Sequence, residues 1–394
     1  MLHSSKLTIA ACAFLLVGAA PPGERWNPAW TASMWKAADR NQEVSIENAT
    51  VRFAVRVGTE GGKIRLRLSN EYGQQFRIGS ASIRLRDGKA VRVTFDRQGS
   101  VHVPANADIV SDATKLRVKA FDVVEISLYL PDAVKLNTVH GAGGAKTLIS
   151  PPGDHTKSSF TPARRSDNRP LLAVVEVLGK TARPVIVAYG DSITDNTGCA
   201  IDAVPICRWG DVLGRRLTAA GKPHVVVTQA ISGNRVITFG TGPSAVERFE
   251  RDVLKLPGVT HVVLLEGIND IGSSGRVRPN GTTAPTITYE ELIEGYRKII
   301  ASARTRKIKV MALTILPFQG AGYHTERGEA MRVRVNEWMR TSGEFDGVFD
   351  MEKVMADPTN PKRLNPALQR GDDLHPDGRG ETRMGEAIPL EWFQ

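Results

Sequence analysis

The chain has 394 residues, 41% of them apolar and 24% charged, a balance that supports one or two packed cores and excludes a disordered chain. Its 52 basic and 42 acidic residues leave a net charge of +10, but no basic tail, Cys/His finger or aromatic nucleic-acid motif goes with the excess, so nucleic acid is not an expected partner. The basic residues instead alternate with Ile and Leu, as in KIRLRLSN and SIRLR, the pattern of solvated outer strand faces; weak attraction to anionic polysaccharide or envelope is the bolder reading.

In chain order, the first twenty residues carry Lys6, the apolar run LTIAACAFLLVGAA and then PPG. A basic start, a short apolar stretch and a small-residue exit describe a secretory signal peptide over residues 1–20, cleaved near Ala19 or Ala20. Cys12 in IAAC resembles a lipoprotein cleavage box, yet the apolar run continues past it, so lipid anchoring is the lesser expectation. No other segment approaches about 18 uninterrupted apolar residues, so no transmembrane segment is expected and the mature protein is placed outside the cytoplasm, secreted or periplasmic.

Trp26, Trp30 and Trp35 cluster in ERWNPAWTASMW, where packing between domains is favoured over stacking on sugar rings. From about residue 44 to 178 short strands follow one another: TVRFAVRV, KIRLRLSN, ASIRLR, AVRVTF, VVEISLYL and LLAVVEVL, separated by GTEGG, NEYGQ and RDGK. This predicts an all-β, jelly-roll-like sandwich as an accessory domain over residues 21–180, with residues 141–170, rich in Gly, Pro and Ser, as a long loop.

After Pro184 the rhythm becomes strand then helix, which predicts an α/β domain over residues 181–394. VIVAYG precedes a helix in RWGDVLGRRLTAAG, and VVVTQA precedes one in SAVERFERDVLKL. HVVLLEG precedes YEELIEGYRKIIASAR, KVMALTIL precedes HTERGEAMRVRVNEWMR, and DGVFD closes the series. Cys199 and Cys207 are expected to pair, which would stabilise the loop by about 2–3 kcal/mol, two reduced thiols being the alternative. A metal site is not expected, because no third and fourth Cys or His ligand stands at site spacing.

In a parallel sheet, reactive groups collect beyond the carboxyl ends of the strands. Here those ends read GDSIT, QAISGNRV and EGIND, and near the C-terminus RGDDLHPDG sets Asp372 three residues before His375. Ser192 alone is equally a helix cap, Gly233 a bend and Asn269-Asp270 a turn. Together and in this order, the four blocks resemble the SGNH hydrolases, the GDSL esterase/lipase family, across residues 185–394. The resemblance implies a three-layer α/β/α fold with a parallel sheet, ester hydrolysis through an acyl-serine intermediate, and no metal or organic cofactor.

It also implies the roles. Ser192 is the nucleophile, His375 the base that takes its proton and returns it to the leaving alcohol, and Asp372 the orienter of the imidazole. Asp373 competes with Asp372, and the family's three-residue spacing favours Asp372. The oxyanion hole falls to the backbone N–H groups of Ser192 and Gly233 and the side-chain amide of Asn269. Asp191 and Asp270 are expected to fix backbone turns, and with Arg276 and Arg278 are the remaining candidates for the substrate cleft. The stretch after Asp270, IGSSGRVRPNGTTAPTIT, and the cysteine loop are expected to wall that cleft. The other histidines, His102, His140, His155, His224, His261 and His324, are expected on loops or the surface, and Trp209 in packing. The expected reaction is deacetylation of an acylated carbohydrate. Hydrolysis of lipid or small short-chain esters is the alternative, and a non-catalytic glycan-binding protein on an esterase scaffold is the alternative of another class.

Overall fold

The computed structural model describes residues 23–141, 144–195, 199–200, 207–277 and 281–394. Residues 1–20, expected as a signal peptide and holding Cys12, and Arg278, lie outside the described residues.

The C-terminal half is built on five parallel strands in the spatial order Val225–Ala230, Val185–Gly190, Val259–Leu265, Lys309–Leu313 and Gly347–Phe349. The first two consist wholly of buried residues, so both faces of the sheet are covered, and their Val- and Ile-rich sequences suit that position. The covering helices are α1 (Ser192–Asp195), α2 (Trp209–Ala219), α3 (Ala245–Phe249), α4 (Ile268–Ser273), α5 (Tyr289–Arg304), α6 (Glu326–Thr341), α7 (Met351–Met355) and α8 (Gly378–Ala387). Capping boxes start α3 (Ser244 with Glu247) and α5 (Thr288 with Glu291), each satisfying two orphan backbone donors. Strand order reverses between Val185–Gly190 and Val259–Leu265, so the loops after these two strands flank the switch point where such sheets hold their ligands. Trp209 is fully buried in α2, and Cys199 and Cys207 are disulfide-bonded.

The N-terminal half is antiparallel. One sheet runs Arg164–Ser166, Thr147–Pro152, Ala49–Arg56, Val123–Leu130, Ser80–Leu85 and Val91–Val93. A second runs Arg25–Thr31, Leu172–Gly179, Gly61–Ser69 and Asp108–Val110, with Thr114–Val118 also paired to Gly61–Ser69. Inward residues such as Val51, Phe53, Ile64, Leu66, Ile126 and Val175 form a core separate from that of the parallel sheet. The strand arginines are not simply solvated: Arg65 pairs with the buried Glu176 at 2.7 Å and lies over Trp26, and Arg84 pairs with Glu125 at 2.6 Å.

Two strand assignments differ from the sequence pattern. Residues 141–170 are not one loop, since Thr147–Pro152, Arg164–Ser166 and Asn168–Pro170 pair in sheets. Arg25–Thr31 pairs along Leu172–Gly179 despite Pro28, because the register shifts between Pro28 and Trp30 and the missing N–H falls at that irregularity. Trp30 and Trp35 are buried, and Arg25–Thr31 lies against the parallel sheet, with Thr31 Oγ1 donating to the carbonyl of Thr228 at 2.7 Å.

Candidate active site

The strand Val185–Gly190 delivers the chain to a tight turn. A Cβ at Gly190 would strike the carbonyl oxygen of Leu265 on the neighbouring strand, so only glycine lets the two backbones approach this closely. Asp191 then folds the turn on itself: its carboxylate accepts the Ile193 N–H at 3.0 Å, and its carbonyl accepts those of Thr194 and Asp195 at 3.1 and 2.8 Å. Ser192 therefore opens α1 with its hydroxyl directed to the end of the sheet.

There it meets His375. Ser192 Oγ lies 2.8 Å from His375 Nε2, and His375 Nδ1 lies 2.7 Å from Asp372 Oδ2. The Asp-x-x-His spacing works through a turn before α8: Asp372 Oδ1 accepts the backbone N–H groups of His375 at 2.8 Å and Leu374 at 3.1 Å while Oδ2 faces the ring. With Nδ1–H donated to a carboxylate, Nε2 is left as the ring nitrogen facing the Ser192 hydroxyl. Asp373, the competitor, points elsewhere, its carboxylate taken by the Arg363 guanidinium at 2.8 and 3.2 Å and by Gln369 at 3.0 Å.

The loop after Val225–Ala230 brings in Gly233, at φ 81°, where a Cβ would also press on Thr241 Oγ1. Two side chains fasten this loop to its neighbours. Asp195, at the end of α1, accepts the Ser232 N–H and hydroxyl at 3.2 and 2.9 Å, and the Asn269 amide donates to the carbonyl of Asn234 at 3.0 Å. The turns bearing Ser192, Gly233 and Asn269 are thus joined by direct hydrogen bonds. Tyr323 adds its hydroxyl to Asn269 Oδ1 at 3.4 Å.

Asp191 and Asp270 sit beneath this surface rather than on a cleft. They are 1% and 0% exposed, and Asp270 spends both oxygens on the Val236 and Ile237 N–H groups at 2.8 and 3.3 Å. Burial pushes each carboxyl up to about 7, despite those hydrogen bonds, and burial together with the Asp191 charge pushes Glu266 well above its usual range. The fully buried Arg248 serves this cluster, with its guanidinium 3.6 Å from Glu266 and over the Tyr189 ring. Arg276 is exposed.

Residues 188–383 match the GDSL-like lipase/acylhydrolase family. This half of the chain belongs to that family. The acylhydrolase domain resembles a catalytic mutant of an acetylxylan esterase from Geobacillus stearothermophilus at 19% identity, covering 53% of this chain and 93% of that one with a TM-score of 0.41. It resembles a GDSL-like lipase from Bacteroides thetaiotaomicron at 20% identity, with coverage of 52% and 85% and a TM-score of 0.38. A lipase/acylhydrolase from Enterococcus faecalis matches at 22% identity, with coverage of 52% and 93% and a TM-score of 0.40. No curated protein matches the chain.

Several residues that act on the acylhydrolase site carry no motif. Arg370 places Nε 3.2 Å from Asp372 Oδ2 and Nη2 3.3 Å from His375 Nδ1, and its only signal is proximity to Asp372 in sequence. Burial holds His375 below the ordinary histidine value, with Arg370 adding to the shift and Asp372 opposing it. Burial would raise Asp372, but the His375 N–H, the imidazole and the Leu374 N–H outweigh it and bring that carboxyl down to about 2. His140, expected on a loop or the surface, is a buried strand residue 2.9 Å from Asp195, and His224 and His261 are buried as well.

Proposed function

We propose that the protein is an exported serine esterase that removes short acyl groups, acetyl first among them, from a hydroxyl-rich carbohydrate. The observation that carries the esterase reading is the unbroken relay from Ser192 through His375 to Asp372. His375 Nε2 takes the Ser192 proton as Oγ attacks the ester carbonyl, and Asp372 stabilises the imidazolium that forms. The oxygen that becomes negative falls to the N–H groups of Ser192 and Gly233 and to the Asn269 amide, which can turn from the Asn234 carbonyl toward it. The imidazolium then protonates the departing alcohol, and water activated by the same nitrogen releases the acid from acyl-Ser192.

Polar side chains stand beside the relay, among them Asn269, Tyr323 and Arg370, which favours a small acyl group and a polar alcohol. The signal-like residues 1–20 support export, and the separate cores support a β domain over 21–180 ahead of the hydrolase over 181–394. A binding protein on this scaffold would have no use for the intact relay.

Rates on p-nitrophenyl acetate, butyrate and octanoate, with acetate release from acetylated xylan, test the reading. Activity should fall with chain length and acetate should be released from the polysaccharide; a preference for octanoate would overturn the acetyl assignment, and no turnover of any ester would overturn the esterase. The acid limb of the kcat/KM profile gives an independent check. Because the base must be neutral and its pKa is depressed, activity should persist below pH 6.5 and fall only at lower pH. Arg370→Ala, which removes a nearby positive charge, should move that limb upward, and an unmoved limb would show that Arg370 does not tune the base.

A further inference from the structure

The N-terminal β region meets the catalytic half along the loop that carries Gly233. Ile231, which begins that loop, is buried in the β region's core. Gly242, which ends it, lies flat on Trp35, where a Cβ would come within 2.8 Å of the tryptophan Cβ. Arg40 donates to Thr241 Oγ1 at 2.6 Å, and the Thr241 N–H donates to the carbonyl of Gly233 at 3.3 Å.

The most direct tie runs through His140, on the strand Thr138–Gly141 of the β region. Its Nδ1 lies 2.9 Å from the carbonyl oxygen of Ser33 and its Nε2 2.9 Å from Asp195 Oδ1, so the ring bridges the β region and the end of α1. The second Asp195 oxygen accepts the N–H and the hydroxyl of Ser232. Asp195 ends the single turn opened by Ser192, and Ser232 immediately precedes Gly233. One imidazole thus secures the link between the nucleophile's turn and the oxyanion loop.

We infer that His140 is a positioning residue of the catalytic site, and that the N-terminal β region is a working part of that site rather than a detachable substrate-binding module. The inference rests on the esterase reading above. Its physical basis is preorganisation: an oxyanion donor helps only if it is in place before charge develops. Gly233 sits at positive φ in a turn outside the sheet, so side-chain tethers fix its N–H. Without His140, the buried Asp195 carboxylate loses its directly bonded ring partner, keeping only the more remote Arg169 and Arg208 charges, and its hold on Ser232 weakens.

The test compares His140→Ala, His140→Gln, Ser232→Ala and the His140→Ala/Ser232→Ala double variant in the full chain. The readouts are p-nitrophenyl acetate kinetics and amide hydrogen exchange over residues 232–242. His140→Ala should lower kcat by about 10–100-fold, less than outright loss of an oxyanion donor, with KM little changed, and exchange in the loop should accelerate. His140→Gln, which keeps a donor for Asp195, should recover most of both. The double variant should lose clearly less than the product of the two single losses, because the two residues act through one chain of contacts. Asn27→Ala loosens the far end of the same junction, where Asn27 holds the Arg183 N–H at 2.8 Å and the Thr181 carbonyl at 3.0 Å, and it should leave kcat and loop exchange unchanged. Wild-type kcat and exchange in His140→Ala, or multiplicative losses in the double variant, would overturn the inference. An inactive wild type would sink the esterase reading alone, since exchange at 232–242 reports the tether without any substrate.

Discussion

Ser192→Ala is expected to lower kcat on any ester by at least about 10⁴-fold, because nucleophile and base act as one unit and losing either removes the covalent route. Asp372→Asn should cost about 10⁴-fold for a different reason. The amide can present its NH₂ to Nδ1, which favours the tautomer with the proton on Nε2, where it cannot accept from Ser192. It also loses the charge that stabilises the imidazolium. Asp373→Asn separates this from a general effect of charge loss in the same loop. Its carboxylate faces Arg363 and Gln369, so it should lose stability at that pair while keeping most of its kcat. Both proteins should elute and melt as folded species, and an Asp372→Asn enzyme within tenfold of wild type would remove Asp372 from the mechanism.

What could be read from the sequence was whatever the chain writes locally. GDS, SGN, GIND and DDLH each lie within a few residues at a strand end or before a helix, and the Val-rich runs before them mark the parallel sheet. The β half was legible as short strands, but Pro28 and the Gly- and Pro-rich residues 141–170 hid strands whose pairing tolerates irregular register. The supporting residues were not legible, because their roles come from distant chain segments. His140 reaches Asp195 across 55 positions and Ser33 touches both Gln229 and Arg248, so neither has a local pattern that marks it. Arg370 and Asp372 lie close in sequence, but arginine beside aspartate is usually a solvated pair, and only the fold shows the guanidinium against the catalytic imidazole.

Arg248→Met should be the most destabilising single replacement outside the relay, at about 3–5 kcal/mol, the usual cost of breaking a buried charge network from one side. The guanidinium is fully buried and donates to Asn234 Oδ1 at 2.8 Å, to the carbonyls of Gly190 and Gln229 at 3.0 Å, and to Ser33 Oγ and Asp252 Oδ2 at 3.1 Å. Asp252 would keep Arg251, but Glu266 would lose its only buried cation among the described residues and be left facing Asp191 and Asp270. The loss should depend on pH. Unfolded carboxyls release their protons near pH 4, whereas Asp191 and Asp270 hold theirs to about 7 in the fold and Glu266 is also held well above its ordinary range. The folded state therefore binds more protons between these limits, so these groups favour folding at low pH and oppose it as pH rises. Removing Arg248 lifts the folded pKa values of Asp191 and Glu266 further. The gap in melting temperature between Arg248→Met and wild type should accordingly widen from pH 5 to pH 8. Activity should fall with it at either pH, because Gly190, before the nucleophile turn, and Asn234, beside the oxyanion donor, hang from the same guanidinium. A loss under about 1 kcal/mol, the range of an exposed ion pair, or a gap that does not change with pH, would mean that the carboxylates are held by something other than Arg248.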